Sequence, residues 1–263
     1  MGYWSLGRRH LPLFMGLALT ISGCGLHNIA ADVNTAHMIS FPIAHITSLA
    51  INMDGVGVHV LTRPGLQHIT VTQEVSPVIR ASVTVKGHLF TLEDYDPSYT
   101  PNDRPLPVQV LLPPGRSVVI HTDGSAVALK GSYQNINIAS QGGAVSISGL
   151  SAAACRIAAA GGPVNVDNAV AGRVLAVIDQ GGPVSLRGPL DGSTTLKDQG
   201  GAVAVTGMPR NATAVRVSDP GGSVVSHWPD MVKHRHSLGG TTPGHNPRDT
   251  LTISDQGGPV VLG

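Results

Sequence analysis

The chain has 263 residues, of which 41% are hydrophobic and only 3% aromatic, with 17 basic side chains against 16 acidic ones. So even a balance, without a long basic run, argues against nucleic acid or an anionic membrane surface as a charge-recognised partner. The 33 glycines and 19 prolines describe a turn-rich chain, and two cysteines are too few for a disulfide framework.

The first residues read as a leader. Arg8 and Arg9 precede an apolar run from Leu11 to Ile21, which ends in Ile21-Ser22-Gly23-Cys24. Positive, greasy and small residues in that order, closing on cysteine, form a bacterial lipoprotein signal, with cleavage before Cys24 and a lipid on its sulfur. The apolar run falls short of the roughly 20 residues needed to span a bilayer. The paired arginines are also compatible with twin-arginine export, a pattern that Pro12 spoils. The expected organisation is a signal peptide over 1–23, a lipidated cysteine and flexible tether over 24–45, and a repeat domain over 46–263 with a histidine-rich insertion at 226–250. The expected address is extracytoplasmic and membrane-anchored; if the cell is Gram-negative the membrane is the outer one, because Gly25, not aspartate, follows the lipidated residue. Once Cys24 carries lipid, Cys155 stands alone and is expected to be a small buried hydrophobe rather than a reactive thiol.

From Thr47 the chain alternates as strands do: Leu49 and Ile51, Val56, Val58 and Val60, Ile69 and Val71, Val83 and Val85. Asp94 to Pro107 carries Pro97, Pro101, Pro105 and Pro107 and reads as a loop, because proline cannot donate to a ladder. Strands resume at Val108, Val110 and Leu112 and turn at Pro113-Pro114-Gly115.

A glycine doublet then recurs, with first members Gly142, Gly161, Gly181, Gly200, Gly221 and Gly257 and a single-glycine variant at Gly124. Three residues after each stands valine: Val127, Val145, Val164, Val184, Val203, Val224 and Val260. Five after, four before and six before are almost all apolar too, as in Leu186, Val177 and Leu175 around Gly181. Gly55 fits the same offsets through Leu49, Ile51, Val58 and Val60. Each unit offers two short strands joined by the doublet on one side and a looser turn on the other, marked by Gly131, Gly149, Gly188 and Gly207. A unit so short cannot bury its own apolar face, so successive units must stack and supply one another's core. The expected fold is all-β: a single-chain parallel β-solenoid, β-helix-like, of about eight short coils.

The segment Leu106 to Gly115, Leu-Pro-Val-Gln-Val-Leu-Leu-Pro-Pro-Gly, followed by these Asp-Gly and Gly-Gly units, resembles the bacterial adhesin-like lipoproteins built on a β-strand-repeat domain of unassigned function. The resemblance spans residues 46 to 263 and implies a cell-envelope β-solenoid with no catalytic residues to transfer. The long insertion before Gly257 departs from the regular pattern.

Two features could carry chemistry. Aspartate stands two before the doublet at Asp179, Asp198, Asp219 and Asp255. Stacked about 4.8 Å apart, their charges would repel by roughly 1 kcal/mol per pair even in water-like surroundings. Such a row either caps its own turns through backbone N–H groups or draws calcium to carboxylate oxygen, and capping is the simpler reading. Gln141, Gln180, Gln199 and Gln256 beside them could form a partial amide ladder. The insertion holds His227, Trp228, Met231, His234, His236 and His245. A zinc or copper site could be drawn from the histidines, although their spacing is not diagnostic. Trp228 and Met231 are the expected partner contacts, since extra residues on a regular scaffold are where binding resides.

Catalysis has little to draw on. The glutamates are Glu74 and Glu93, and no Phe, Tyr or Trp falls between Tyr133 and Trp228, whereas sugar-cleaving grooves need paired carboxylates and aromatic platforms. The expected protein is therefore a non-catalytic structural or adhesion-type surface module without a cofactor, whose partners are the membrane through Cys24 and a surface protein or glycan. Its rivals are a divalent-cation-binding surface protein, taking calcium or zinc, and a carbohydrate-active enzyme with its groove near Asp94 to Pro107.

Overall fold

The computed structural model describes residues 29–32, 38–43, 45–73, 81–94, 107–168, 170–190, 192–207, 213–234, 236–242 and 249–263. The leader, Cys24, residues 95–106 of the proline-rich loop and His245 lie outside the described residues. Every regular element among those described is a β-strand. The amino-terminal strands are β1 (Ile29–Asp32), β2 (Met38–Pro42), β3 (Ser48–Asp54), β4 (Val58–Thr62), β5 (His68–Gln73), β6 (Ala81–Lys86), β7 (Leu89–Asp94) and β8 (Val108–Leu112). The repeats supply β9 (Arg116–Asp123), β10 (Val127–Gln141), β11 (Val145–Ala160), β12 (Val164–Asp167), β13 (Val170–Gln180), β14 (Val184–Arg187), β15 (Ser193–Lys197), β16 (Val203–Thr206), β17 (Thr213–Ser218) and β18 (Val224–Ser226). The insertion and last unit give β19 (Met231–His234), β20 (Ser237–Thr241), β21 (Asp249–Ser254) and β22 (Val260–Leu262).

The strands join in a mixed sheet whose central part is two parallel ladders. The strands preceding the glycine turns align as β7, β3, β9, the second half of β10, the second half of β11, β13, β15, β21 and β17. The strands following those turns align as β8, β4, the starts of β10 and β11, β12, β14, β16, β22 and β18. Equivalent repeat positions face each other: Val145 pairs Val164, Val164 pairs Val184 and Val184 pairs Val203. Repeated offsets from the glycine turn in each unit make that register self-consistent, because a slip of one residue would turn every apolar side chain outward. All seven valines of the column are at most 1% exposed, and Ile120, Ile138, Ile157, Val177, Leu196, Val217 and Ile253 are buried with them. At the five-after position only Ser226 is less than fully buried.

The second corner of the unit differs from the expected loop in two places. β10 and β11 run through it unbroken, with a register shift at Lys130/Gly131 where Gly131 adopts φ of 120°. A bulge bends the strand there without ending its pairing.

Neither end of the stack follows chain order. β3 and β4 lie between the β7/β8 unit and the β9/β10 unit. At the other end the last unit, β21/β22, inserts between β15/β16 and β17/β18. This corrects the expectation of units stacked in sequence: Val260, in the last unit of the chain, has Val203 on one side and Val224 on the other.

Antiparallel strands flank the parallel ones. β5 pairs β8 and is covered by β2, while β6 pairs β7 and is covered by β1. The tether expected over 24–45 is thereby corrected, because two of its stretches are strands of the sheet. Ile39 and Phe41 alternate inward, and the Phe41 ring meets Phe90 edge-on with centroids 5.2 Å apart. Where the stack ends at β17, β20 pairs antiparallel with it and β19 pairs β20. A free parallel edge is a template for unwanted pairing, and the insertion covers it on this ladder.

Candidate functional site

Period-two alternation puts the residue two before each glycine turn on the same inward face as those four and six before. In spatial order this column reads Met53, Thr122, Ser140, Ala159, Asp179, Asp198, Asp255 and Asp219. Thr122 donates to Ser140, which in turn donates to the Gly143 carbonyl, both at 3.3 Å. Ala159 interrupts the polar run, and the four aspartates follow at 0–1% exposure.

Each carboxylate caps its own turn. The Gly182 N–H donates to Asp179 Oδ2 at 2.8 Å, and the Gly222 N–H to Asp219 Oδ1 at 2.7 Å. Asp198 accepts from the Gln199 N–H at 2.7 Å, and Asp255 from the Gln256 and Gly257 N–H groups at 2.6 and 3.3 Å. These bonds favour the ionised form, yet burial outweighs them and pushes Asp179, Asp198 and Asp255 above the ordinary carboxylate range. Neighbouring aspartates add to the rise at Asp198 and Asp255. One oxygen of every member is buried without a hydrogen-bond partner: Oδ1 of Asp179 and Oδ2 of Asp198, Asp219 and Asp255.

The doublet has a division of labour that its regular spacing did not reveal. Gly161 has φ of +87°, which only glycine adopts without strain, and a methyl group there would make only an ordinary contact with the Gly142 Cα. Gly162 needs no such freedom, but a methyl group on it would overlap the carbonyl of Gly143 in the next unit. The same overlap recurs from Gly182 to Gly162, Gly201 to Gly182, Gly258 to Gly201 and Gly222 to Gly258, which retraces the spatial order of the stack.

The insertion is placed differently from the expected contact loop. Trp228 is 6% exposed and belongs to the core cluster, with its indole N–H unpartnered, and Met231 packs partly buried against that cluster. Burial makes the Trp228 ring an anchor for the end strands, so the expectation that it projects toward a partner is corrected. His234 closes β19, and His236 stands in the turn before β20; both are exposed, and the His236 carbonyl accepts the Asp219 N–H at 2.9 Å. His227 lies apart, with Nδ1 3.3 Å from the Leu262 carbonyl oxygen. Among the described residues, no three His, Cys, Asp or Glu side chains converge as a metal site would require. Cys155 is buried and its thiol is pushed up to about 12 by desolvation, as its inward column position implies. A shallow depression absent from the sequence reading is lined by Asn52, Asp54, His121, Asp123 and Gln141, outward residues of β3, β9 and β10. Glu93 receives a hydrogen bond from Asn52 at 3.2 Å.

No family model matches the chain, and neither does any curated protein. Among solved structures it is similar to a candidate cell adhesion protein from Clostridium sporogenes, at 9% identity and a TM-score of 0.42 over 90% of this chain and 98% of that one. It is also similar to a candidate adhesin from Bacteroides fragilis, at 13% identity and a TM-score of 0.41 over 94% of this chain and all of the other.

Proposed function

We propose that this chain is a non-catalytic β-solenoid of about eight coils that serves as a structural or adhesion-type module of the bacterial cell envelope, held to a membrane by lipid on Cys24. The observation that carries the reading is where the repeat's invariant chemistry goes. Of the residue types that recur with the period, valine, isoleucine, the second glycine and aspartate are used inside, in core, close stacking or turn capping, while the glutamines Gln141, Gln180, Gln199 and Gln256 stay exposed beside the turns. Each of the two parallel ladders also turns a registered row of side chains outward. One carries the registered row Ala139, Ala158, Ile178, Lys197 and Ser254; the other carries Ser146, Asn165, Ser185, Ala204 and Val261. Rows of small side chains with an exposed Ile178 present area to a partner rather than a pocket to a substrate.

The test uses the protein without residues 1–23, immobilised and scored on a glycan panel and on extracellular-matrix proteins for binding and for cleavage. Binding without cleavage, weakened by Ala158→Glu or by Ser185→Glu, supports the module and says which face engages. Turnover of any glycan would overturn it. The anchor is tested separately: Cys24→Ala should leave the membrane fraction or remain unprocessed, and unchanged fractionation would remove the lipid from the account.

A further inference from the structure

The four aspartates raise a problem that turn capping does not solve. Each has one oxygen that accepts a well-aligned backbone N–H and the other buried without such a bond, although the Gly181 and Gly201 N–H groups also act on Asp198. An ionised carboxylate offers only acceptors, so four of them side by side cannot satisfy one another. A carboxylic acid can, because its O–H donates to the free oxygen of the next member and removes one charge from the pair.

Among the described side chains, no cation is placed to substitute for that proton. The charges acting on the row are its own members: Asp179 on Asp198, and Asp198 and Asp219 on Asp255. Lys197 and Arg216, on the same strands, are exposed on the outer face, as is Arg187 on β14. Neither β16, β18, β20 nor β22 carries a charged residue, and the His227 and His236 side chains are exposed. The row is also too sparse for a metal, since no three such groups converge among the described residues.

We propose that the row Asp179–Asp198–Asp255–Asp219 is a proton-sharing ladder, in which a carboxylic acid on one member donates to the unpaired oxygen of its neighbour, and that this corner of the stack loosens as those protons are lost. The upward displacement of three members agrees with this geometry. Its sign is opposite to the usual carboxylate: the folded chain holds protons that the unfolded chain has released above an ordinary carboxyl pKa of about 3.9. Stability is therefore full in acid and falls as pH rises through the raised values.

The experiment compares thermal melts of the wild type from pH 4.5 to 8 with those of Asp179→Asn/Asp255→Asn. Asparagine keeps an oxygen for the turn and offers its NH2 to the neighbour, so it stands in for the protonated acid at alternate rungs. The wild-type midpoint should fall by at least about 4 °C over this range, while the double variant should hold its midpoint and exceed the wild type at pH 8. A second reading needs no variant to fold: the infrared C=O band of a protonated carboxyl should persist in the folded wild type at pH 7. A wild-type midpoint that is flat or rises with pH, without that band, would overturn the proposal. So would stabilisation at pH 8 by calcium that a chelator reverses, which would make the missing partner a cation.

Discussion

The glycine doublet allows the sharpest separation of backbone strain from stacking. At Gly161 the alanine methyl group would meet only the Gly142 Cα at 4.0 Å, so the cost is that of a left-handed conformation at φ of +87°, about 1–2 kcal/mol. At Gly162 the methyl group would overlap the Gly143 carbonyl and come to 3.1 Å from the Ala144 nitrogen, all backbone atoms that cannot swing aside. Relief requires prising two units apart between the flanking bonds Gly142 N–H to Ala160 O, 2.6 Å, and Val145 N–H to Pro163 O, 2.9 Å. Each such bond contributes about 1 kcal/mol net, and its groups cost more than that when left buried and unpaired, so Gly162→Ala should cost about 3 kcal/mol or more. Urea unfolding would read both variants as shifts in midpoint at constant slope. Equal losses at the two positions, or a neutral Gly162→Ala, would refute the close-approach argument.

Other outcomes follow from burial. Val203→Asp places a carboxylate among Val184, Val260 and the core with no partner and should cost about 4 kcal/mol or more in the same assay. Trp228→Ala should cost about 3–5 kcal/mol by opening the cap, whereas Trp228→Phe should stay within about 1.5 kcal/mol because the indole N–H has no partner to lose. Cys155, buried with its thiol near 12, should resist a thiol reagent at pH 8 in the folded protein and react once denatured.

Local alternation carried most of the fold in the sequence. The valine column, the early unit around Gly55 and the inward Cys155 could all be read from period two plus a fixed turn, because register in a parallel ladder only repeats what each unit already says. The burial of Asp179 was legible by the same rule, since a position two before the turn shares the face of positions four and six before. The order of units was not legible: β21/β22 matches β15/β16 and β17/β18 equally well in its columns, and only the cap that occupies the far side of β17 decides where the last unit goes. Trp228 was misplaced for a related reason. Extra length on a regular scaffold can bind a partner or seal an end, and composition alone does not distinguish an aromatic anchor from an aromatic contact. The inward placement of Ile39 and Phe41 is not legible, because a two-residue alternation beside Pro42 is too brief to separate a strand from a tether.

The intercalated last unit is the claim on which the stacking order, the cap and the sequence of aspartates all depend, and paired cysteines test it most directly. Ala204 on β16 faces Val261 on β22, which in turn faces Val225 on β18. Adjacent strands lie about 4.8 Å apart, within disulfide reach, and strands two apart lie about 9.6 Å apart, beyond it. Ala204→Cys/Val261→Cys and Val225→Cys/Val261→Cys should each oxidise to a cross-linked monomer, while Ala204→Cys/Val225→Cys should stay reduced. Efficient cross-linking of the Ala204 and Val225 positions, with none through Val261, would mean that the units stack in chain order and would contradict the account.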